Sequence, residues 1–300
     1  MNETNNDYFN FLELLWAKKY LIVISGLSSA LLFYLLSFSA NIVFESKAIL
    51  KIRNSSETNT RDLSALGSIS NFVGIDFATE DSKKSEFSLA ILKSRDFFDM
   101  FYKDEAFLIS MFATNGFNQD LTSTFDSRVY DQNDQIWKKT FRNGKNFPGF
   151  EESYEYFHSK IFKIDLDRKT NFFYLTVETP NPKLSKDTLD AIIKQLNNYV
   201  REKDLKESKS SVNYLDNYLL NNNSMEIKES VINLMENEIK TQMYANIQEE
   251  YLLEQIENPR IILEKSNPKR SIWVIFGFVF GLILSFLAII YGKILKSHKS

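Results

Sequence analysis

Two long uncharged and mostly apolar runs, residues 20–44 and 271–292, predict membrane-spanning helices. At about 1.5 Å per residue, a helix over either run is long enough for the roughly 30 Å hydrocarbon core of a bilayer. A cleaved signal peptide is the alternative for the first run, but the run is long and acidic residues precede it. Buried helices of a soluble protein are the alternative for both, and these rarely stay uncharged for so long.

These runs divide the chain into an N-terminal segment (1–19), a first span (20–44), an α+β domain (45–270), a second span (271–292) and a tail (293–300). Lysines flank the spans on the side of the termini, at positions 18 and 19 and at positions 293, 296 and 299, and basic residues 47, 51, 269 and 270 compete with them from the side of the large domain. Positive residues beside a span stay in the cytoplasm, whereas long loops cross largely regardless of charge. We therefore expect a two-pass membrane protein with both termini in the cytoplasm and the large domain on the other side of the membrane.

Alternating polar and apolar positions predict three strands. Residues 46–53 alternate first, and residues 161–167 and 172–177 then alternate on either side of a turn, which is typical of a hairpin. Near the start of the chain, residues 7–16 place apolar side chains at helical spacing, which predicts an interfacial helix leading into the first span.

Helical periodicity dominates the second half of the large domain. Residues 182–222 contain no glycine and no internal proline, so they predict a helix roughly 60 Å long, with Asn181 as its cap and Pro182 at its first position. A second helical pattern runs from about residue 231 to 258. Long amphipathic helices must pack against each other and against neighbouring chains. The chain is therefore predicted to be α+β, with strands, long helices and two flanking transmembrane helices.

The first half of the large domain is less regular. Residues 80–93 predict a helix, and Ser94 can cap another that begins at Arg95. Residues 107–156 mix aromatic residues, asparagine and glycine without a clear period, which predicts a mostly irregular insert with short helices.

Small residues at a spacing of four occur in both spans. Gly277 and Gly281 form a G-x-x-x-G pattern, and Gly26 and Ala30 repeat the spacing, so we predict a helix-packing and assembly role for all four. The alternative is chance, because the pattern is common in such spans. Pro259 and Pro268 bracket a predicted extended connector that returns the chain to the membrane, for which a plain linker is the alternative.

Composition excludes several classes of function. With 36 basic and 39 acidic residues the net charge is −3, which offers no general attraction to nucleic acid. The chain has no cysteine and two histidines, so thiol chemistry, disulfides and multi-histidine metal sites are excluded. We expect no nucleic acid partner.

The motifs that could carry chemistry are weak. Gly144-Lys145 lacks the first glycine of a phosphate-binding loop, and residues 131–142 lack the glycine and glutamate of a calcium loop. Asp165 and Asp167 match a D-x-D metal motif but occupy outward positions of a predicted strand. His158 has no nucleophile to serve. We therefore expect no catalytic residue, no cofactor, no metal and no enzyme activity.

Five stretches carry a resemblance to a known family: FNFLELLWAKKYLIV, FESKAILKI, LAILKSRD, TPNPKLSKDTLDAIIKQLNNYVRE and IENPRIILEKSNPKRSIWVIFGFVFG. Together they resemble the Wzz-type chain-length determinants, also called polysaccharide co-polymerases. The resemblance is most specific over residues 258–281 and weakest over residues 107–156. The family carries a proline-rich segment before and overlapping its second span, where this chain has only Pro259 and Pro268.

The resemblance implies an inner-membrane protein with an α+β base that holds a small mixed sheet near the membrane, long extended periplasmic helices and a homo-oligomeric ring. It implies that such a protein sets the modal length of O-antigen or a related surface polysaccharide together with an integral-membrane polymerase, in contact with membrane lipid and with a lipid-linked glycan. The alternatives are an export-type co-polymerase with a separate tyrosine kinase, a two-span periplasmic sensor and an enzyme. Residues 293–300 hold no kinase domain, although a separate kinase chain could still be the partner, and they hold no output domain for a sensor.

Overall fold

A computed structural model describes residue 16 and residues 18–53, 80–221 and 224–297. The chain divides into two compact units, one made of the residues up to Val43 together with those from Lys265 onward, the other of Phe44–Glu264. The interfacial helix predicted over residues 7–16 lies, apart from Trp16, outside the described residues.

The described helices and strands, in chain order, are α1 (Lys19–Leu36), β1 (Val43–Ile52), α2 (Glu80–Leu92), α3 (Arg95–Tyr102), α4 (Glu105–Ala113), β2 (Thr114–Phe117), β3 (Ser123–Phe125), β4 (Tyr130–Asp131), β5 (Ile136–Trp137), α5 (Phe150–Tyr156), β6 (Phe162–Asp167), β7 (Phe172–Thr179), α6 (Pro182–Asn221), α7 (Met225–Ile247), β8 (Leu253–Glu257), β9 (Lys265–Asn267) and α8 (Arg270–Ser297). A 3₁₀ turn (Ser37–Ser39) follows α1, and a π-helical turn (Phe157–Ile161) follows α5. Mixed helix and sheet confirm the predicted α+β class.

The first apolar helix is shorter than the uncharged run over residues 20–44. It ends at Leu36, and after the 3₁₀ turn the chain becomes β1 at Val43. Lack of charge does not distinguish a helix from a buried strand, and Phe44 pairs with Thr179 of β7. The apolar helical stretch is Lys19–Ser39, 21 residues with a mean hydropathy of 2.1, which is about 30 Å long.

Four strands of the second unit form an antiparallel path in the order β6, β7, β1, β8. Alternate residues of the central strands are buried, namely Ala48, Leu50 and Ile52 of β1 and Phe173, Leu175 and Val177 of β7. This is the period-two burial that one packed face of a sheet requires. The strand predicted at residues 46–53 and the predicted hairpin are confirmed.

Residues 107–156 contain the expected short helices, but two short hairpins make this insert more ordered than its sequence pattern predicts. The insert includes most of α4, the β2–β3 and β4–β5 hairpins and all of α5. Strands of two to four residues are too short to show a period. Aromatic contacts support this region instead: the Trp137 ring lies 5.3 Å from Tyr130 and 5.6 Å from Phe141, and its Nε1 donates to Glu105 Oε1 at 3.1 Å.

The long helix is confirmed as α6, which has 40 residues and is about 60 Å long. Asn181 caps it as predicted, because its Oδ1 accepts a hydrogen bond from the Lys183 backbone N at 2.9 Å. The antiparallel α7 packs beside it, and Ser208 Oγ donates to the Glu238 carbonyl oxygen at 2.7 Å. The first half of α6 is buried on the sheet, whereas beyond Val200 its one buried residue is Ser208.

The second helix ends at Ile247, so the prediction that it continues to residue 258 is wrong. Residues Leu253–Glu257 instead form β8, held by the buried side chain of Asn197. Its Oδ1 accepts from the backbone N of Leu252 at 2.7 Å and of Leu253 at 2.9 Å, and its Nδ2 donates to the Leu253 carbonyl oxygen at 3.1 Å. These long-range bonds fix a strand that apolar periodicity does not reveal.

Candidate functional site

A seam of small residues joins α1 and α8, the two apolar helices of the first unit. The structure brings all four predicted packing residues to this seam, where Gly26 and Ala30 of α1 and Gly277 and Gly281 of α8 are buried. A spacing of four places each pair on one helix face. The described contacts lie within one chain, and a role of these residues between protomers stays a prediction.

The two glycines of α8 permit a very close approach of the helices. A Cβ atom at Gly281 would lie 2.6 Å from the Ser25 carbonyl oxygen and 2.9 Å from the Gly26 Cα. At Gly277 it would lie 2.6 Å from the Phe33 Cβ and 3.0 Å from the Ser29 carbonyl oxygen. Backbone atoms cannot rotate away as a side chain does, so this separation requires glycine at both positions.

Polar and aromatic contacts add to the seam. Ser25 Oγ donates to the Gly281 carbonyl oxygen at 3.1 Å, an interhelical hydrogen bond of the kind that helps apolar helices to associate. The Phe33 ring lies 6.5 Å from Trp273 and 5.8 Å from Phe280. The seam therefore combines small residues with aromatic rings that pack beside them.

The other faces of the two helices are apolar and exposed. In the most apolar stretch of each helix, only 17% and 22% of the residues are buried within the structure. Large side chains such as Leu31 (61% exposed) and Phe276 (67% exposed) point outward. The core helix of a soluble protein is mostly buried, in contrast to these two. By length and composition both can cross a membrane.

The predicted connector begins just after β8. Pro259 is buried, and the next residue, Arg260, accepts a hydrogen bond at its carbonyl oxygen from Ser46 Oγ at 3.0 Å. Pro268 is half-buried and lies two residues before α8. Residues 258–264 form neither helix nor strand. These residues link β8 to β9, which is followed by Pro268 and the second apolar helix.

The carboxylates of the two acidic motifs, Asp167 and Asp131, accept hydrogen bonds that stabilise local turns. Asp167 accepts from the Lys169 backbone N and from Thr170 Oγ1, both at 2.9 Å, and these bonds hold the pKa of its carboxyl below the usual range. Asp131 accepts from Lys138 Nζ at 2.5 Å and from the Asn133 backbone N at 2.9 Å, which lowers its pKa too. Within the described residues, no group of three or more His, Asp and Glu side chains is placed to hold a metal ion.

His158 is a packing residue of the core edge. Its ring lies 4.5 Å from the Tyr154 ring and 5.1 Å from that of Phe157. Burial lowers its pKa from 6.5 to about 4, and the charge of Lys93 adds to the effect. A neutral, packed imidazole of this kind has no adjacent nucleophile among the contacts that the structure describes.

Sequence reasoning missed two polar members of the seam, Ser25 and Ser29. The signal was present, because they also stand four apart and each precedes one of the predicted small residues of α1. Small-x-x-x-small spacing covers serine as well as glycine and alanine. The Asn197 clamp on β8 had no comparable signal, since a polar residue in a helix is usually exposed.

No family model and no curated protein matched the chain. A solved structure described as "full-length bacterial polysaccharide co-polymerase" is similar to it, with a TM-score of 0.37 and 9% sequence identity, over 96% of this chain and 98% of that chain. The description names the family that the sequence resembles. A likeness this slight assigns no function by itself, so the functional assignment rests on the residues of this chain.

Proposed function

We propose that this protein is a non-enzymatic polysaccharide co-polymerase of the inner membrane, which regulates the modal length of O-antigen or a related surface polysaccharide. The observation that carries the proposal is the order of elements along the chain. An apolar helix leads into a central strand, a small α+β body follows with the 40-residue α6, and a proline-marked connector leads to a second apolar helix. The family that the sequence resembles has the same order.

The proposed topology places both termini in the cytoplasm and the Phe44–Glu264 unit in the periplasm. Its support is the lysines outside the spans, at positions 18 and 19 and at positions 293, 296 and 299. The absence of cysteine is compatible with an oxidising compartment.

The proposed partners are further copies of the chain in a ring, and an integral-membrane polymerase. Exposed apolar side chains support the first partner, since Leu220 of α6 and Ile232 and Ile247 of α7 remain uncovered in one chain. The outward apolar faces of α1 and α8 support contacts with lipid and with a membrane-embedded polymerase. A lipid-linked glycan can then meet the assembly at the membrane surface.

A geometric mechanism fits a protein of this build. A ring of protomers with long helices can gather polymerases or hold the growing glycan, so that extension becomes less favourable once the glycan outgrows the scaffold. Such a mechanism forms and breaks no bond, in keeping with the roles found for Asp131, Asp167 and His158.

Deletion of the gene, followed by complementation, tests the proposal. Surface polysaccharide should still be made, but its length distribution on a gel should lose its mode and become broad, and complementation should restore the mode. An unchanged length profile for every surface glycan would refute the proposal. Loss of repeat-unit synthesis would favour an enzyme, and loss of export with loss of tyrosine phosphorylation on a separate kinase would favour the export-type alternative.

A further inference from the structure

A cavity of about 560 Å³ lies within the Phe44–Glu264 unit, in the insert where the family resemblance is weakest. Phe112 of α4 forms one wall, Lys139 and Arg142 form a second, and residues from Glu152 to Lys160 form the third. Its volume falls within the roughly 300–1,000 Å³ of typical small-molecule sites. No sequence pattern reveals this cavity, because its walls come from three separate segments.

One wall of the cavity is a firmly held aromatic ring. Tyr156 stacks on Phe112 with 4.9 Å between ring centroids and 22° between ring planes, and Phe112 in turn packs edge-on against Phe141 at 5.3 Å. Tyr156 remains 37% exposed. Burial of the rest of the ring raises the pKa of its hydroxyl, which therefore stays protonated. Phe112 covers one face of the ring, and the exposed remainder offers an apolar surface with a hydroxyl beside it.

The charges around the cavity leave an excess of positive charge. Arg142 engages both carboxylates of the wall, since its backbone N donates to Glu152 Oε2 and its Nη1 to Glu155 Oε2, each at 2.8 Å. Lys139 and Lys160 make no ion pair with any described residue. Lys139 Nζ instead lies over the Phe141 ring, 5.3 Å from its centroid. Since no described carboxylate neutralises either ammonium group, both can bind an anionic ligand.

From this geometry we propose that the cavity binds an acidic sugar residue, with the C–H face of the sugar ring against Tyr156 and its carboxylate against Lys139 and Lys160. A sugar ring presents an apolar face together with a rim of hydroxyl groups, and so matches an aromatic wall with polar neighbours. A free inorganic anion would use the lysines but not the ring, and a neutral sugar would use the ring but not the lysines.

This inference rests on the proposed function, because it gives the co-polymerase a direct contact with an acidic glycan. The body would then hold the polymer through a residue of its repeat rather than by enclosure alone. Polymers that contain uronic acids or similar acidic sugars are the ligand class that the site predicts.

Ligand binding to the full chain in detergent tests the site with three probes. Trigalacturonate supplies both the ring and the carboxylate, maltotriose supplies the neutral ring, and inorganic phosphate supplies the charge alone. Saturation-transfer NMR and titration should show trigalacturonate binding most tightly and maltotriose weakly, and excess phosphate should displace little of the acidic sugar. Equal competition by phosphate would show a simple anion site and overturn the proposal.

Variants then separate the two contacts. Lys139→Gln combined with Lys160→Gln should weaken trigalacturonate about tenfold, as the loss of charge-assisted hydrogen bonds implies, and should leave maltotriose unchanged. Tyr156→Leu keeps an apolar contact with Phe112 but removes the flat ring, so it should weaken both sugars. Lys145→Gln is the matched control, since it removes an exposed lysine of the same insert that does not line the cavity.

Lys139 and Lys160 are exposed, so their substitution should change the melting temperature little. The double lysine variant therefore tests the site even if Tyr156→Leu folds poorly. Failure of trigalacturonate to bind, or equal binding by the double lysine variant, refutes the site. If the deletion strain nonetheless loses its modal length, the proposed function stands without the site. If binding behaves as predicted while the length profile never changes, the site stands and the proposed function fails.

Discussion

Substitution of Gly281 is the most direct perturbation of the helix seam. A Cβ atom there would lie 2.6 Å from the Ser25 carbonyl oxygen and 2.7 Å from the Ser29 Cβ, whereas ordinary contacts begin at 3.4 Å. Gly281→Ala therefore requires α1 and α8 to separate locally by about 0.8 Å. Gly281→Leu adds three further carbon atoms to the same place and should separate the helices further.

The free-energy cost of these substitutions can be estimated from comparable cases. Overpacking of a close contact costs about 1–3 kcal/mol, and loss of an interhelical hydrogen bond such as that from Ser25 to Gly281 costs about 0.6 kcal/mol on average. We expect Gly281→Ala near the lower end of the range and Gly281→Leu near the upper end. We therefore expect the stability of the α1–α8 packing to fall from the wild type to Gly281→Ala, and further to Gly281→Leu.

Disulfide cross-linking in native membranes can measure this separation, because the chain has no cysteine of its own. Phe33→Cys with Phe280→Cys forms a suitable reporter, since the two rings pack across the seam with 5.8 Å between their centroids and neither substitution adds a Cβ atom that the wild type lacks. Oxidation should form an intrachain bond in this background. Adding Gly281→Leu should slow its formation and broaden the polysaccharide length distribution.

A control on the outer face of the same helix isolates the seam. Val279 is 47% exposed, so Val279→Leu adds volume to α8 without meeting α1 and should cross-link at the parent rate. If Gly281→Leu cross-links as fast as this control and keeps a normal length profile, the close approach seen at the glycines has no structural importance, and the reasoning is wrong.

Three further predictions concern the Phe44–Glu264 unit and can be measured on the full chain in detergent. Asn197→Ala should lower the free energy of unfolding, measured by urea titration, by about 2–4 kcal/mol, because backbone groups of Leu252 and Leu253 lose their buried partner. Asn217 is an exposed asparagine bonded within its own helix, so the control Asn217→Ala should change the free energy of unfolding little. Ser94→Ala should cost about 1 kcal/mol, since Ser94 Oγ accepts from the backbone N of Phe97 as a helix cap. Because the pKa of His158 falls from 6.5 to about 4 on folding, the unfolded chain binds the extra proton, so thermal stability should decline as pH falls from 6.5 towards 4. His158→Phe should flatten that decline, and an unaltered pH profile in this variant would contradict the assigned cause.

The elements that could be predicted from sequence are those in which one physical requirement repeats along the chain. Burial of one face gives β1 and β7 their alternation, and a continuous run without glycine or proline marks α6. β8 has only five residues, three of them polar, and it is a strand because Asn197 and β1 bond to it. Contacts between residues so far apart in sequence produce no periodic pattern of apolar positions.

The seam shows a different limit of sequence reasoning. The spacing of Gly277 and Gly281 identifies a helix face on which a neighbour can come close, but it does not say which helix is the neighbour. The structure answers this within one chain, because Ser25, Ser29 and Phe33 of α1 are the contacting residues. The cavity beside Tyr156 could not be predicted from the sequence either, because it depends on how three short segments meet.

The uneven burial of α6 gives the fold an adjustable dimension. Its first half is fixed by the sheet, but beyond Val200 it is supported chiefly by α7. Seven residues correspond to almost two complete turns and about 10 Å of rise. A matched insertion of seven residues in the outer parts of both helices would thus preserve their facing sides and leave the sheet untouched. The reach of this protein beyond its base can therefore change in evolution in increments of about 10 Å without any change to the body that carries it.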